Sequence, residues 1–274
     1  MVNNFSTISN SSTISNFSVN NFSVIILAAG LGKRMQNPNI PKVLATVNKK
    51  PLIYYVLKTA IELNPDRICL VVGHKRELLI DYVNNEFLIE FKEFPSSRII
   101  FAVQEEQLGT GHATACTEQY FTNYQGNILI LAGDVPLLTV STLSSFIQLH
   151  NSENSDITVL SALAPNPFGY GRIVRDTENQ FTAIVEEKDA SKIEKSINEI
   201  NSGIYFLGSN LLFDLLRMVD NSNSQNEYYL TDIIKFSKSL DKKIIAKDLA
   251  DIAEVQGINT PEQLQEIEKI LNMR

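Results

Sequence analysis

The feature that most constrains the fold of this chain is the regular alternation of apolar strand patterns with helix patterns. The predicted strands of the first part are short apolar runs at residues 24–28, 67–72, 99–103, 127–131 and 156–163. Helix patterns fill the intervals between them, at residues 51–63, 76–86, 111–121 and 141–150. Strands that alternate with helices form βαβ units, so the pattern predicts a mainly parallel sheet flanked by helices.

The second half of the chain follows a different pattern. Further strands are predicted, partly as a meander, at residues 171–175, 181–187, 200–207 and 243–247. Helices are predicted at residues 209–219, 229–239 and 261–272, and Thr260 can cap the last of them, with Pro261 at its first position. The expected fold class is therefore α/β, with a Rossmann-like mixed sheet and a second, β-richer lobe.

Residues 1–22 stand apart from the rest, because they contain no charged residue and repeat the letters STISN at residues 6–10 and 12–16. Such a polar repeat cannot bury enough surface to order itself, so a disordered tail is predicted; an unrecognised targeting segment is the alternative. A secretory signal would need a basic region and a continuous apolar core, and both are absent. The expected division is a tail at 1–22, one domain at 23–259 and a C-terminal helix at 260–274.

Composition and charge limit the functional classes. The 274 residues are 44% hydrophobic and 20% charged, as in a globular protein, and no apolar run approaches the roughly 18–20 residues of a membrane span. A net charge of −7 argues against nonspecific nucleic-acid binding. Cys69 and Cys116 lie among apolar or small residues and are predicted to be reduced packing residues of a cytoplasmic protein.

Residues 24–44, VIILAAGLGKRMQNPNIPKVL, have the form of a strand that runs into a phosphate-binding loop. Gly30 and Gly32 let backbone N–H groups approach an anion, and Arg34 and Lys42 would neutralise phosphate charge. The spacing fits neither a Walker loop nor the dinucleotide fingerprint, whose third glycine is missing. For this loop taken alone, an ordinary strand-to-helix turn remains the alternative.

Polar residues also follow other predicted strands, and ligands of open parallel sheets bind outside the carboxyl ends of the strands. Residues 104–112 contain amides, glycines and a hydroxyl that suit a nucleobase; a polar loop capped at Thr110 is the alternative. Asp134 follows strand 127–131 and is placed to hold Mg²⁺; a turn aspartate is the alternative. Residues 168–172, 185–188 and 199–203 add a glycine, a carboxylate and an amide, the set that a sugar requires, although each could be a solvated strand end.

Eight motifs together carry a family resemblance. They are LAAGLGKRM with PKVL, VQEEQLGTGHA, AGDVPLL, YGRIVRD, VEEKDAS, EINSGIY, NEYYLTDII and GIN. On these motifs, residues 24–260 resemble the uridylyltransferase domain of the bacterial bifunctional N-acetylglucosamine-1-phosphate uridylyltransferase/glucosamine-1-phosphate acetyltransferases. LAAGxGxRM alone marks nucleotidyltransferases in general, whereas QLGTGHA, GDVPL, YGRI and EINSGIY are more specific to this activity. One departure is Lys33, which stands where the family usually has a small hydroxyl residue.

The resemblance implies the nucleotide-diphospho-sugar transferase fold, a nucleotidyltransferase domain at 23–259 and the following site. The UTP phosphates would contact Leu27, Ala28, Ala29 and Gly30, with Arg34 and Lys42 as the catalytic cations. Uracil and ribose would contact Gln104, Gln107, Gly109 and Thr110. The N-acetylglucosamine would contact Gly171, Glu186, Asn201 and Thr110. Mg²⁺, the implied cofactor, would be bound by Asp134 and Asn259.

The implied reaction is transfer of UMP from UTP to N-acetylglucosamine 1-phosphate, in the cytoplasm, for peptidoglycan and other cell-envelope precursors. The attacking phosphate oxygen is already an anion, so no catalytic His or Ser is expected. The family's acetyltransferase and trimer depend on a left-handed β-helix of hexapeptide repeats; no such repeat is present here, so neither is expected. The alternatives are another sugar-1-phosphate nucleotidylyltransferase, with glucose 1-phosphate or dTTP, and a non-catalytic nucleotide-sugar sensor.

Overall fold

A computed structural model of the protein describes residues 21–32, 35 and 39–273. Arg34 and nearly all of the predicted tail therefore lie outside the described residues. The strands are β1 (Phe22–Leu27), β2 (Thr46–Val47), β3 (Lys50–Pro51), β4 (Ile68–Val72), β5 (Ile99–Val103), β6 (Asn127–Ala132), β7 (Ile157–Leu163), β8 (Arg172–Arg175), β9 (Phe181–Val185), β10 (Glu199–Gly208) and β11 (Ile244–Asp248). The α-helices are α1 (Leu52–Glu62), α2 (Arg76–Tyr82), α3 (Leu88–Glu90), α4 (Thr110–Ala115), α5 (Val140–Glu153), α6 (Ser209–Leu216), α7 (Asp232–Ser239) and α8 (Pro261–Met273).

The strands other than β2 and β3 form one nine-stranded mixed sheet. Its main path has the order β11-β7-β10-β6-β1-β4-β5, while β8 pairs with β10 and β9 pairs with β8. The pairs β1–β4, β1–β6, β4–β5 and β7–β11 are parallel. Since β10 is antiparallel to β6, β7 and β8, and β9 to β8, only β9 and β10 run against the common direction. The predicted mainly parallel α/β sheet is thus confirmed, and the β-richer part is an extension of that same sheet.

Burial explains why the central strands form as they do. Val24, Ile25 and Ile26 of β1 have no exposed surface, and β4 is buried along its whole length. Strands covered by helices on both faces read as continuous apolar runs, which is the pattern that the sequence shows here. Cys69 of β4 and Cys116 after α4 are free thiols, and burial raises the pKa of Cys69 to about 12.

Two predicted helices are shorter or less regular than expected. The segment predicted as a helix at 111–121 is α4 followed by a separate 3-10 turn at Glu118–Phe121. The segment predicted at 76–86 is α2 continued by a π-helical turn at Val83–Phe87. In both segments the apolar spacing marks the buried face, but it does not distinguish an α-helical turn from a tighter or wider one.

The hairpin formed by β2 and β3 was not predicted. Its two turn residues, Asn48 and Lys49, have φ angles of 48° and 64°. Positive φ at both central residues is the geometry of a type I′ turn. Val47 of this hairpin packs with Ile267 of α8 in a small separate core, so the last helix lies against its own domain. Within the described residues, no helix is long and apolar enough to cross a membrane.

Candidate active site

Three side chains from distant parts of the chain meet at the carboxyl edge of β6. The Lys42 ammonium pairs with the Asp134 carboxylate and donates a hydrogen bond of 3.1 Å to the Asn259 amide oxygen. The side chains of Lys42 and Asp134 are only 14% and 17% exposed. The side-chain oxygen atoms of Asp134 and Asn259 therefore point at one position, which the Lys42 ammonium occupies. These three residues are called the cation cluster below.

The backbone around each of these three residues explains the convergence. Asp134 lies two residues after the end of β6, and its carbonyl accepts a hydrogen bond of 3.0 Å from the Ile258 amide. Gly257 passes so close that a Cβ there would lie 3.2 Å from Asp134 Oδ2. Asn259 precedes α8, and its backbone amide donates to Gln263 Oε1 at 2.7 Å. Thr260 Oγ1 accepts from the Gln263 amide, which completes a capping box at the start of α8.

The predicted phosphate loop lies beside this cluster. The Gly133 amide donates to the Leu27 carbonyl at 2.9 Å, so the ends of β1 and β6 stay in contact. Gly32 has a φ of 60°, and a Cβ on it would lie 2.6 Å from Lys42 Cβ, which only glycine avoids. Ala28 and Ala29 are buried, whereas Gly30 is exposed and has open space around it. The loop thus approaches Lys42 with Gly30 facing solvent; Arg34 lies outside the described residues.

The predicted base-binding residues form a second loop, after β5. Gln104 is 4% exposed, and its side-chain amide donates to the Gly109 carbonyl at 3.1 Å. Gln107 donates to the Gln104 carbonyl at 3.3 Å. A Cβ on Gly73 would lie 2.8 Å from the Ala29 carbonyl oxygen and 3.0 Å from Gln107 Nε2. Gly73 is therefore where this loop meets the phosphate loop.

The predicted sugar-binding residues Gly171, Glu186 and Asn201 also come together. A Cβ on Gly171 would lie 3.5 Å from both Asn201 Cβ and Glu186 Oε2. The Asn201 amide donates to the Gly171 carbonyl at 2.9 Å, and Asn201 Nδ2 donates to the Tyr205 hydroxyl at 2.8 Å. A carboxylate, an amide and a buried glycine thus lie together at the ends of β8, β9 and β10, and the region that they line is called the sugar concavity below.

The electrostatics of this concavity centre on Glu186. Burial raises the pKa of Glu186, and the neighbouring carboxylates Asp189, Asp232 and Glu227 raise it further. A hydrogen bond from the Thr231 hydroxyl acts in the opposite direction and favours the ionised form. The net effect is a pKa of Glu186 above its usual range, and the Thr231 hydroxyl is the contact that favours the ionised form.

A fully buried arginine supports the adjoining loop. Arg172 is 1% exposed, and its guanidinium donates to Glu187 Oε2 at 2.6 Å and to the Tyr170 carbonyl. Burial alone would raise the pKa of Glu187. The Arg172 hydrogen bond, the Gly169 backbone N–H and the charges of Arg172 and Lys195 together outweigh burial and lower that pKa. The ion pair fixes residues 169–171, which carry Gly171 into the concavity.

Three residues at the site were not singled out from the sequence: Gly73, Tyr170 and Thr231. Burial, and secondarily the charge of Asp134, raise the pKa of the Tyr170 hydroxyl. Gly73 directly follows β4, so the position of strand ends could have identified it. Thr231 lies in the motif NEYYLTDII and in the helix predicted at 229–239, but only tertiary packing brings it to Glu186.

In the residues that the structure describes, no group of three or more His, Cys, Asp or Glu side chains could hold a metal ion. A cation at the cluster would thus be coordinated by one carboxylate, one amide oxygen and oxygen atoms of a bound substrate. Mg²⁺ is commonly bound in this way, by one or two carboxylates together with substrate phosphates.

The sheet, its small-residue loop and the polar clusters at the strand ends define an α/β protein of the nucleotide-binding kind. The chain belongs to the nucleotidyl transferase family, whose pattern matches residues 23–257. The bifunctional protein GlmU of Geotalea uraniireducens is 44% identical over 256 residues, 93% of this chain and 54% of that protein. GlmU of Geotalea daltonii is 42% identical over 250 residues, 91% of this chain and 52% of that protein. The chain spans about half the length of the relatives it matches.

Solved structures show the same fold. A UDP-glucose pyrophosphorylase in complex with UDP-glucose superposes with a TM-score of 0.74 at 20% identity, over 92% of this chain and 99% of that one. An apo UDP-glucose pyrophosphorylase gives a TM-score of 0.72, also at 20% identity, over 92% and 98% of the two chains.

Proposed function

We propose that the protein transfers UMP from UTP to N-acetylglucosamine 1-phosphate and releases pyrophosphate. The observation that carries the proposal is the cluster of Lys42, Asp134 and Asn259 beside the small-residue loop, together with the concavity that holds a carboxylate and an amide. A nucleotidyl transfer needs these three parts side by side: a cradle for the triphosphate, a cation site at the reacting phosphate and a sugar pocket.

In this proposal, each part has one task. The backbone of residues 27–30 holds the triphosphate, and the loop of Gln104 and Gln107 holds the base. Lys42 moves from Asp134 to the reacting phosphates and neutralises their charge. Gly171, Glu186 and Asn201 bind the sugar so that its phosphate oxygen faces the α-phosphate in line. Arg34, which lies outside the described residues, is proposed as the second cation.

The cluster fits Mg²⁺ because both of its acceptors are hard oxygen atoms and the Lys42 ammonium already stands between them. Asp134 and Asn259 would hold the ion. When bound, it would supply charge neutralisation at the phosphates and orient the pyrophosphate leaving group. We further propose that the protein acts in the cytoplasm, where these substrates are made.

A panel of pyrophosphate-release assays tests the proposal. UTP and dTTP are combined with N-acetylglucosamine 1-phosphate and glucose 1-phosphate, with and without Mg²⁺. We expect release only with UTP, N-acetylglucosamine 1-phosphate and Mg²⁺. Release with another pair would replace the substrates but keep the reaction, and no release from the folded protein would favour a nucleotide-sugar sensor.

Asp134→Asn tests the cation site in the same assay. We expect a loss of about 100-fold or more in turnover, because a neutral amide neither binds Mg²⁺ as well nor pairs with Lys42. Asp214→Asn is the matched control, since Asp214 is 68% exposed and pairs with Arg217 on the surface. Near-normal turnover of Asp134→Asn would refute the assignment.

A further inference from the structure

The connector segment, residues 228–231, joins the predicted base-binding loop to the sugar concavity. The Tyr228 amide donates to the Leu108 carbonyl at 2.8 Å, and the Gly111 amide donates to the Tyr228 carbonyl at 2.7 Å. The Leu230 amide donates to Thr110 Oγ1 at 3.0 Å. The segment is thus tied at three points to Leu108 and the first turn of α4.

Gly109 shows how closely the two segments fit. Its φ is 108°, and a Cβ there would lie 2.6 Å from the Tyr228 carbonyl oxygen. Any side chain at Gly109 would push the connector segment away. The register between loop and connector is therefore set by close backbone contacts, together with the one bond to the Thr110 hydroxyl.

The other end of the connector segment reaches Glu186. Thr231 is 5% exposed, and its hydroxyl donates to Glu186 Oε1 at 3.1 Å. The other charged groups that face Glu186 are Asp189, Asp232 and Glu227, and all of them disfavour its ionised form. A short, buried donor that is anchored through the backbone can hold this carboxylate in one orientation.

From these contacts we propose that Thr231 is a positioning residue for sugar binding. It holds Glu186 toward the sugar phosphate substrate and is itself held by the predicted base-binding loop. The inference rests on the proposed function, because it takes Glu186 as a sugar contact. It adds a residue that acts through Glu186 and a physical link between the two proposed substrate sites.

Thr231→Val tests the inference, because valine keeps the shape and removes only the hydroxyl. We expect the KM for N-acetylglucosamine 1-phosphate to rise about tenfold, the scale of one hydrogen bond to a charged group, while the KM for UTP and the Tm stay close to the wild type. Thr231→Ser should restore the KM. The acidic limb of the pH profile of kcat/KM should also move to higher pH in the valine variant, because Glu186 loses the donor that favours its charge.

Thr142→Val is the matched control. Thr142 is also buried and also donates to a carboxylate, Glu254, at 2.6 Å, but it lies on α5 away from the sugar concavity. An unchanged sugar KM in Thr231→Val would overturn the inference while the activity stands. Equal rises for UTP and sugar, or a rise that serine does not rescue, would also overturn it. A wild type without turnover on any pair would overturn the proposed function and the role of Glu186 with it.

Discussion

At the scale of single residues, the cation cluster of Lys42, Asp134 and Asn259 can bind a metal ion only if the ion displaces the Lys42 ammonium. Lys42 occupies the space between Asp134 and Asn259, so in this arrangement the ammonium competes with any metal ion for the same oxygen atoms. The pair is mostly buried, and a lysine that leaves it must find another anion. A bound triphosphate would be that anion.

Lys42→Ala separates these two roles. We expect turnover to fall about 100-fold, because the reacting phosphates lose a neutralising charge. The Mg²⁺ concentration for half-maximal turnover should fall as well, because the competing ammonium is gone. Both are read from Mg²⁺ titrations of the initial rate, and a higher Mg²⁺ requirement in the variant would contradict the competition.

Gly73→Ala tests the junction of the predicted phosphate loop with the predicted base-binding loop. The added Cβ would meet the Ala29 carbonyl oxygen at 2.8 Å and Gln107 Nε2 at 3.0 Å, so one loop must shift. We expect kcat/KM for UTP to fall by about tenfold or more, since small displacements of reacting groups are costly. Gly208→Ala is the control, because its Cβ would meet only Asn127 Oδ1, at 3.9 Å. Equal kinetics for the two variants would count against the junction.

Arg172→Met tests the buried ion pair beside the sugar concavity. The substitution keeps much of the apolar side chain but leaves Glu187 without its main partner. We expect a loss of about 3 kcal/mol in the free energy of unfolding, measured by urea denaturation. A variant as stable as the wild type would show that solvent replaces the arginine at no cost.

At the scale of secondary-structure elements, α8 supports the cation cluster from behind. Its capping box holds the backbone of Asn259 and Thr260 through Gln263 Oε1, at 2.7 and 3.1 Å. Ile267 fixes the helix on the small core beside the β2–β3 hairpin. The backbone position of Asn259 is therefore set by a helix that contributes no other predicted contact to the site.

Gln263→Ala should weaken this support. We expect a loss of about 1 kcal/mol in stability from the cap, together with a several-fold lower turnover. Gln265→Ala, on the exposed side of the same helix, is the control. Turnover and Tm are measured for both variants, and a stability loss without a loss of turnover would show that Asn259 keeps its orientation without the cap.

The elements differ in how far the sequence predicts them. The buried strands β1, β4 and β6 were predicted within about two residues of their ends, because continuous apolar runs leave few alternatives. The β2–β3 hairpin was missed, because its turn places Lys49 at a φ of 64°, which lysine rarely adopts. Its stability comes from packing against α8, which no local pattern reveals.

The residues of the candidate site also differ in how far the sequence predicts them. Residues at the ends of predicted strands, such as Asp134, were found by the rule that ligands bind at the carboxyl edge. Thr231 was not, because its contact with Glu186 joins segments 45 residues apart through tertiary packing. Their roles in catalysis remain predictions for the assays above.

At the scale of the whole molecule, stability should depend on pH through His150. This side chain is 6% exposed, bonds Thr158 through Nδ1 at 2.9 Å and packs edge-on against Phe206. Burial lowers its pKa, although Asp156 partly opposes the shift. In the unfolded chain the imidazole takes up a proton near its ordinary pKa of about 6.5, whereas the folded protein resists protonation.

The free energy of unfolding should therefore fall as the pH decreases below about 6.5, and this contribution is fully present above that pH. His150→Asn keeps a polar atom near Thr158 but cannot be protonated, so its Tm should depend less on pH between about 7 and 5.5. The Tm of both proteins is measured across this range. Parallel curves would mean that other groups cause the dependence.

The cation cluster also has a consequence for folding. Lys42 and Asn259 are 217 positions apart in the chain, and Lys42 and Asp134 are 92 apart. Contacts between residues so far apart in the chain form only after the long intervening segments have lost conformational entropy, so they form late. A nascent chain cannot complete the cluster until residue 259 has been synthesised and docked, and catalytic competence should be the last property that the folding protein acquires.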